Sequence, residues 1–446
     1  MDLRIKRLIP LALLLAASLA CRFLPGSDTT PESPQEGAVA TAVAATLAAS
    51  TVDTSEPVTT EEAAPTAEPA PAVLKLVYVL DGDAWYWEEG ASAVQITSVG
   101  NVLNAVLSAD GSQAALTRQV DPNHREIWAV NTDGSNLRVL VNSGDFDSFS
   151  THPDALTSAP SRLDWAPGST QVVFNTRLVF DGPGLILQND LHQVDAGTGT
   201  HSELLAPGSG GDFYYSPDGS QIALSKPDSV AIVNSDGSSR RESLRFPIIL
   251  TYSEYQYYPE AVWLPDSSAA RVVVPPEDAL GDPAAPTTLY QLPVDGSPPV
   301  TLKSFVTQPF FTNPPRLSGD GSHLAYLAPL AGGSPNQSEL QISGPDWTVD
   351  NSYASGDLAF EGFSPAGNHF IYTEMGHNPQ VGQIGSPPLA LPGITLVRDV
   401  SWVNSTRFIY LNRVSGSWEL WLRELGTPGT LLASSTGDFI SYDFVD

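Results

Sequence analysis

The apolar and polar positions of this chain keep returning to one arrangement. A strand bearing an aromatic or leucine runs into a turn of Ser, Pro, Asp and Gly, and an alternating or wholly apolar strand follows. FYYSPDGSQIALSK, Phe213 to Lys226, shows it most clearly. The arrangement starts again at Val106 (VLSADGSQAALTR), Leu163 (LDWAPGSTQVVFNT) and Ala261 (AVWLPDSSAARVVV). Three more copies start at Pro315 (PRLSGDGSHLAYLA), Glu361 (EGFSPAGNHFIYTE) and Val400 (VSWVNSTRFIYLN). The seven copies are spaced by roughly 40 to 60 residues, the period of a repeat architecture. Several are followed by a second pair of strands around another polar turn, as in REIWAVNTDGSNLRVLV (Arg125 to Val141), VAIVNSDGSSRRESL (Val230 to Leu244) and SWELWLRELGTPGTLLAS (Ser417 to Ser434). The repeating unit is therefore four short strands joined by tight turns.

The turn has a mechanical cause. In Ser216-Pro217-Asp218-Gly219 the proline presets φ for the second position, Asp suits the third, and Gly takes a positive φ at little steric cost. Asp133-Gly134 and Asp236-Gly237 repeat that chemistry at outer turns. Apolar runs such as Val172-Val173-Phe174 imply strands buried on both faces, as in sheets stacked between neighbours. Four-stranded units repeated in this way predict an all-β fold, a β-propeller. The seven copies supply seven sheets. Ahead of them, LKLVYVLDGDAWYWEEGASAVQITSV reads as three strands, and GDFISYDFVD behind them reads as one. If the C-terminal strand, Phe439 to Val445, completes the N-terminal sheet, the ring has eight blades and no open edge. Seven blades is the alternative, in which degenerate copies merge.

The SPDG turn before an apolar strand resembles the TolB-type, WD40-like (PD40) propeller repeat. The resemblance spans about residues 74 to 446, strongest at Tyr215 to Leu224 and weaker at Trp263 to Val274 and Trp402 to Leu411. It implies protein–protein scaffolding at a bacterial envelope.

The ends and the charge bear on location. Residues 1–20 place Arg4, Lys6 and Arg7 before the apolar LIPLALLLAASLA and so resemble a bacterial lipoprotein signal peptide. Cys21, the one cysteine, is then the expected lipid-attachment site, and no disulfide is available to the fold. Residues 21–73 are rich in Ala, Thr, Pro, Ser and Glu and read as a disordered tether. Residues 74–446 form the propeller. Arg22 rather than Asp after the cysteine leaves the outer membrane or the cell surface as the expected extracytoplasmic address. With 21 basic against 50 acidic residues the net charge is −29, which disfavours nucleic acid as a partner and adsorption to an anionic bilayer. Membrane attachment is expected through the N-terminal lipid.

Candidate chemistry is sparse. No histidine pair has metal-ligand spacing, and His323 and His369 occupy the repeat slot that holds Gln113, Gln171 and Gln221 elsewhere. Asp110, Asp218 and Asp320 read as inner-turn formers, and Asp133, Asp236 and Asp295 as outer ones. Asp81 to Asp83 and Asn131 to Asn136 lack the further carboxylates of a calcium loop. There is no G-x-S-x-G, P-loop or G-x-G-x-x-G, and no strand–helix alternation, which excludes the propeller peptidases with an α/β-hydrolase domain. No catalytic residue, metal or cofactor is expected. Where the repeat is broken, two segments stand out. DFDSFSTHPDALTSAP carries His152, and TYSEYQYYPEAVW carries Tyr252, Tyr255, Tyr257 and Tyr258, for which inter-blade packing is the competing role. These five are the candidate ligand-binding residues. The expectation is a monomeric, lipid-anchored propeller that binds an envelope protein or glycan. A lyase or glycosidase using the central channel, or a carbohydrate- or peptidoglycan-binding module, is the alternative.

Overall fold

A computed structural model describes residues 73–446 apart from 183–185, 309–312, 375, 395 and 438. The signal peptide, Cys21 and the tether lie outside the described residues. The described chain forms eight antiparallel sheets, each of four strands in meander order, with a short extra strand in the third. In several neighbouring blades the strands at one end of each sheet touch one another, as expected for the inner strands of a ring. The protein is an eight-bladed β-propeller.

Blade 1 is built from both ends of the chain, as the sequence predicts. Lys75–Leu80, Asp83–Glu88 and Val94–Gln95 take Tyr442–Val445 as their inner strand, with Lys75 opposite Val445 and Tyr78 opposite Tyr442. Blades 2 to 8 begin with inner strands Val102–Leu107, Thr157–Trp165, Asp212–Tyr215, Ala261–Trp263, Arg316–Leu317, Leu358–Phe363 and Val397–Trp402. Stacking of blades explains the continuous apolar runs. Val172, Val173 and Phe174 are all fully buried, but they serve different interfaces. Val172 and Phe174 join the core shared with blade 2, and Val173 joins the core with Phe213 and Ile222 of blade 4. Each such side chain withdrawn from water contributes about 1.5–3 kcal/mol.

The repeated turn behaves as its composition demands. Gly219 N donates to Ser216 O at 2.8 Å, Ser216 N donates to Gln221 O at 2.8 Å, and Gly219 has φ 70°. Asp218 Oδ1 accepts from Ser216 Oγ at 2.6 Å, Ser220 N at 3.0 Å and Ser220 Oγ at 2.8 Å. Those donors, with a smaller contribution from Ser267 in the turn of blade 5, hold its carboxyl down at about 2, so it is charged and engaged mainly within its own turn. Asp110 and Asp320 repeat the pattern. Asp133, Asp236 and Asp295 each accept the backbone N–H two residues on. His323 is part of its turn through Ser322 Oγ, 2.7 Å from Nδ1.

The segment after blade 2 departs from the expected loop. Ser143–Phe149 is an α-helix, and the blade 3 strand already begins at Thr157. Asn142 and Asp145 form a reciprocal capping box, which satisfies the first free N–H groups of the helix. Phe146 is fully buried against blades 2 and 3, and Phe149, three residues on, packs beside it. A seven-residue helix needs that tertiary support.

Candidate functional site

The two breaks in the repeat meet on blade 3. Its inner strand carries Pro160, which cannot donate to the sheet ladder. Pairing slips there: Pro160 faces Thr176, and the next pair is Leu163 with Phe174. Arg162 N donates to the Asn175 side chain at 2.8 Å, and the bulge brings Ser161 to the wall of a cleft. Arg177, opposite Ala159 on the partner strand Gln171–Val179, and Arg125, at the start of Arg125–Asn131 in blade 2, form the floor with Leu187. The crossing from blade 4 to blade 5 supplies Tyr255, Gln256 and Tyr258. The cleft encloses about 410 Å³.

Of the five candidate residues, two belong to the cleft and three do not. Tyr255 and Tyr258 line the cleft. Tyr255 is 63% exposed, whereas the Tyr258 hydroxyl donates to Asn189 Oδ1 at 3.0 Å. Tyr252 is 67% exposed, has φ 54° and donates to Asp278 Oδ1 at 2.9 Å, in a shallower depression that shares Tyr255 and Gln256. Tyr257 packs into the core between blades 4 and 5 and donates to Val273 O at 3.1 Å. Burial pushes the Tyr257 and Tyr258 hydroxyls well above their ordinary range. His152 lies on an exposed turn apart from the cleft lining, where its Nδ1 accepts from Asp154 N at 3.2 Å and its ring meets the edge of Phe180.

Arg125 and Arg177 are the residues the sequence reading passed over. Other arginines are engaged: Arg162 with Asp164, Arg407 with Glu89, Arg271 with Gln291 and Gly321 O, Arg138 with Gln113 and Ala196 O. Among the described residues, the half-buried Arg125 and Arg177 side chains have neither an ion pair nor a hydrogen bond. Burial lowers the pKa of both guanidinium groups, and the charge of Arg177 lowers that of Arg125 further.

A second polar feature is the central channel. Asp443 of blade 1 senses the charge of Asp164 of blade 3 across blade 2, and Asp399 of blade 8 senses Arg316 of blade 6 across blade 7. Side chains coupled past an intervening blade must face the channel. Asp443 accepts from Leu107 N at 2.7 Å, and burial pushes its carboxyl up to about 6. Burial also raises Asp164, Asp399 and Glu361. Their signal in sequence was an acid set within aromatic inner strands, as in Leu163-Asp164-Trp165 and Tyr442-Asp443-Phe444.

Two further features lie on blade 3 and between blades 7 and 8. The fully buried Asp190 lies 3.1 Å from His192 Nε2, while His192 Nδ1 lies 3.1 Å from His201 Nε2. Phe149 stacks on both imidazoles, so the trio secures the helix to blade 3. A larger, mostly apolar pocket of about 660 Å³ lies between the outer parts of blades 7 and 8, bounded by His369, Leu389, Leu391 and Leu425. Among the described residues no three His, Cys, Asp or Glu side chains converge closely enough to hold a metal ion.

No family model matches the chain, and no curated protein matches it in sequence. Among solved structures, a eukaryotic initiation factor is similar over 84% of this chain and 98% of that chain, with 10% identity and a TM-score of 0.51. Dipeptidyl peptidase 4 of Porphyromonas gingivalis is similar over 77% of this chain, with 9% identity and a TM-score of 0.50. The chain spans only 55% of that peptidase. TolB of Acinetobacter baumannii is similar over 61% of each chain, with 13% identity and a TM-score of 0.33. The first two likenesses agree with the propeller fold. Assignment to the PD40 repeat rests on the sequence resemblance alone.

Proposed function

We propose that this chain is a non-catalytic binding propeller, lipid-anchored through Cys21 on the extracytoplasmic side of a bacterial membrane, that takes an envelope protein or glycan into the cleft on blade 3. One observation carries the reading. Pro160-Ser161 and the trio Tyr255, Gln256 and Tyr258 lie far apart in sequence, yet both breaks in the repeat line the same cleft. A rigid ring that presents irregular segments at one place is a common design for a binding surface.

The test is a photo-crosslinking amino acid placed at Gln256 in intact cells, with Ser297 on an outer turn of blade 5 as control. Specific capture at Gln256 supports the reading, and equal capture at both positions overturns it. Mass spectrometry of the mature N-terminus tests the anchor: an unmodified Cys21 removes it. The channel acids give an enzymatic reading its specific support, since a carboxyl held near 6 suits proton transfer. Turnover of an oligosaccharide that disappears in Asp443→Asn would establish that second reading.

A further inference from the structure

We infer that the cleft on blade 3 recognises a carboxylate carried on a sugar, a uronic-acid unit of an acidic glycan. The inference rests on the proposal that this cleft is the binding site, and it names the ligand class.

The argument begins with charge. The chain holds 50 acidic against 21 basic residues, so a carboxylate partner is plentiful for any arginine. Arg125 and Arg177 nevertheless stand side by side, half-buried and without one among the described residues. Partial desolvation of a guanidinium without a counter-charge is unfavourable, and two adjacent cations add repulsion. An anion between them relieves both costs at once. The planar fork of arginine matches the two oxygens of a carboxylate, which favours bidentate recognition.

The surroundings narrow the choice. Asp212 and Asp228 act on the nearby Tyr258, so the cleft is not uniformly positive. A singly charged carboxylate suits that field better than a dianionic phosphate. The remaining wall is chemically suited to a sugar ring. Tyr255 presents an exposed aromatic face, Gln256 an exposed amide and Ser161 a hydroxyl, with Pro160 and Leu187 as apolar backing. Peptides are more commonly held by a free sheet edge or by a series of side-chain pockets. At about 410 Å³ the cleft is near the small end of ligand sites, which suits one or two rings. The net charge of −29 opposes a long polyanion, so the acidic unit is expected among neutral sugars.

The experiment is calorimetric titration of the full-length protein with three probes. They are a tetrasaccharide alternating glucuronic acid and N-acetylglucosamine, the methyl ester of its carboxylates, and a tetrapeptide of glutamate. The tetrasaccharide is expected to bind. The ester, and separately Arg177→Gln and Arg125→Gln, are expected to weaken binding at least tenfold, while both variants melt at or above the wild-type temperature because a repulsive contact is gone. Tyr255→Ala is expected to weaken the sugar without changing the dependence on the carboxylate. Equal binding of the ester overturns the role of the arginines, and tighter binding of the glutamate peptide overturns the glycan assignment. If crosslinking at Gln256 is specific but no uronate binds, the cleft remains the site and this inference falls. If neither occurs, both fall.

Discussion

Replacing Asp443 by Asn isolates the cost of placing a carboxylate at the seam of the ring. The side chain accepts Leu107 N at 2.7 Å and feels the like charge of Asp164 within a desolvating channel wall. Its carboxyl is pushed from 3.8 up to about 6, and burial is the largest cause. A shift of about two units corresponds to about 3 kcal/mol at 1.36 kcal/mol per unit. The direction follows from linkage. The native state binds this proton more tightly than the unfolded chain does. The contribution of Asp443 to stability is therefore most favourable below about pH 4, and it is lost as pH rises toward 6. At pH 7.5 the charged carboxylate opposes folding by up to about 3 kcal/mol, less whatever channel water screens. Asparagine keeps an oxygen for Leu107 N and removes the charge. Asp443→Asn should therefore stabilise the propeller by about 1–3 kcal/mol at pH 7.5 and change little at pH 4. The assay is urea unfolding followed by tryptophan fluorescence at both pH values, read as the shift in midpoint. A variant destabilised at pH 7.5, or shifted equally at both pH values, would refute the account of the seam.

Other perturbations test the ring and its turns. Deleting residues 442–446 removes the strand paired with Lys75–Leu80 and the bonds from Tyr442 Oη to Asp399 O and Ser401 Oγ, so blade 1 should become sensitive to limited proteolysis. Unchanged resistance would show that closure is not needed. Gly382→Ala would drive a methyl into the fully buried Phe370 ring, at a cost of about 1–3 kcal/mol by thermal unfolding. Adding Phe370→Leu should recover part of that loss, and no recovery would contradict the contact. Asp218→Ala should lower the melting temperature slightly and leave crosslinking at Gln256 unchanged. Because that carboxyl sits at about 2, its contribution is present above about pH 4 and fades as pH falls toward 2. A loss of crosslinking in Asp218→Ala would mean the turn does more than shape the chain.

The propeller was legible from the chain because its rules are local. A glycine that tolerates φ near 70° after Pro-Asp makes the same hairpin wherever it occurs, and a period of two sorts each strand between its two neighbouring blades. Even the eighth blade could be read, from three strands without a partner at one end and one at the other. The helix at Ser143–Phe149 was not legible, because a segment so short is held by Phe146 and Phe149 against blades 2 and 3. The tyrosine cluster was visible as composition, but its division between cleft wall and core depends on which hydroxyls find Asn189 and Val273. Arg125 and Arg177 each look like an ordinary strand residue, and Asp164 and Asp443 lie 279 residues apart (443 − 164). Local torsion and alternation were written in the sequence and determined the ring. Blade stacking and ring closure decided which distant charges share a wall, because desolvation and Coulomb coupling depend on separation in space rather than along the chain.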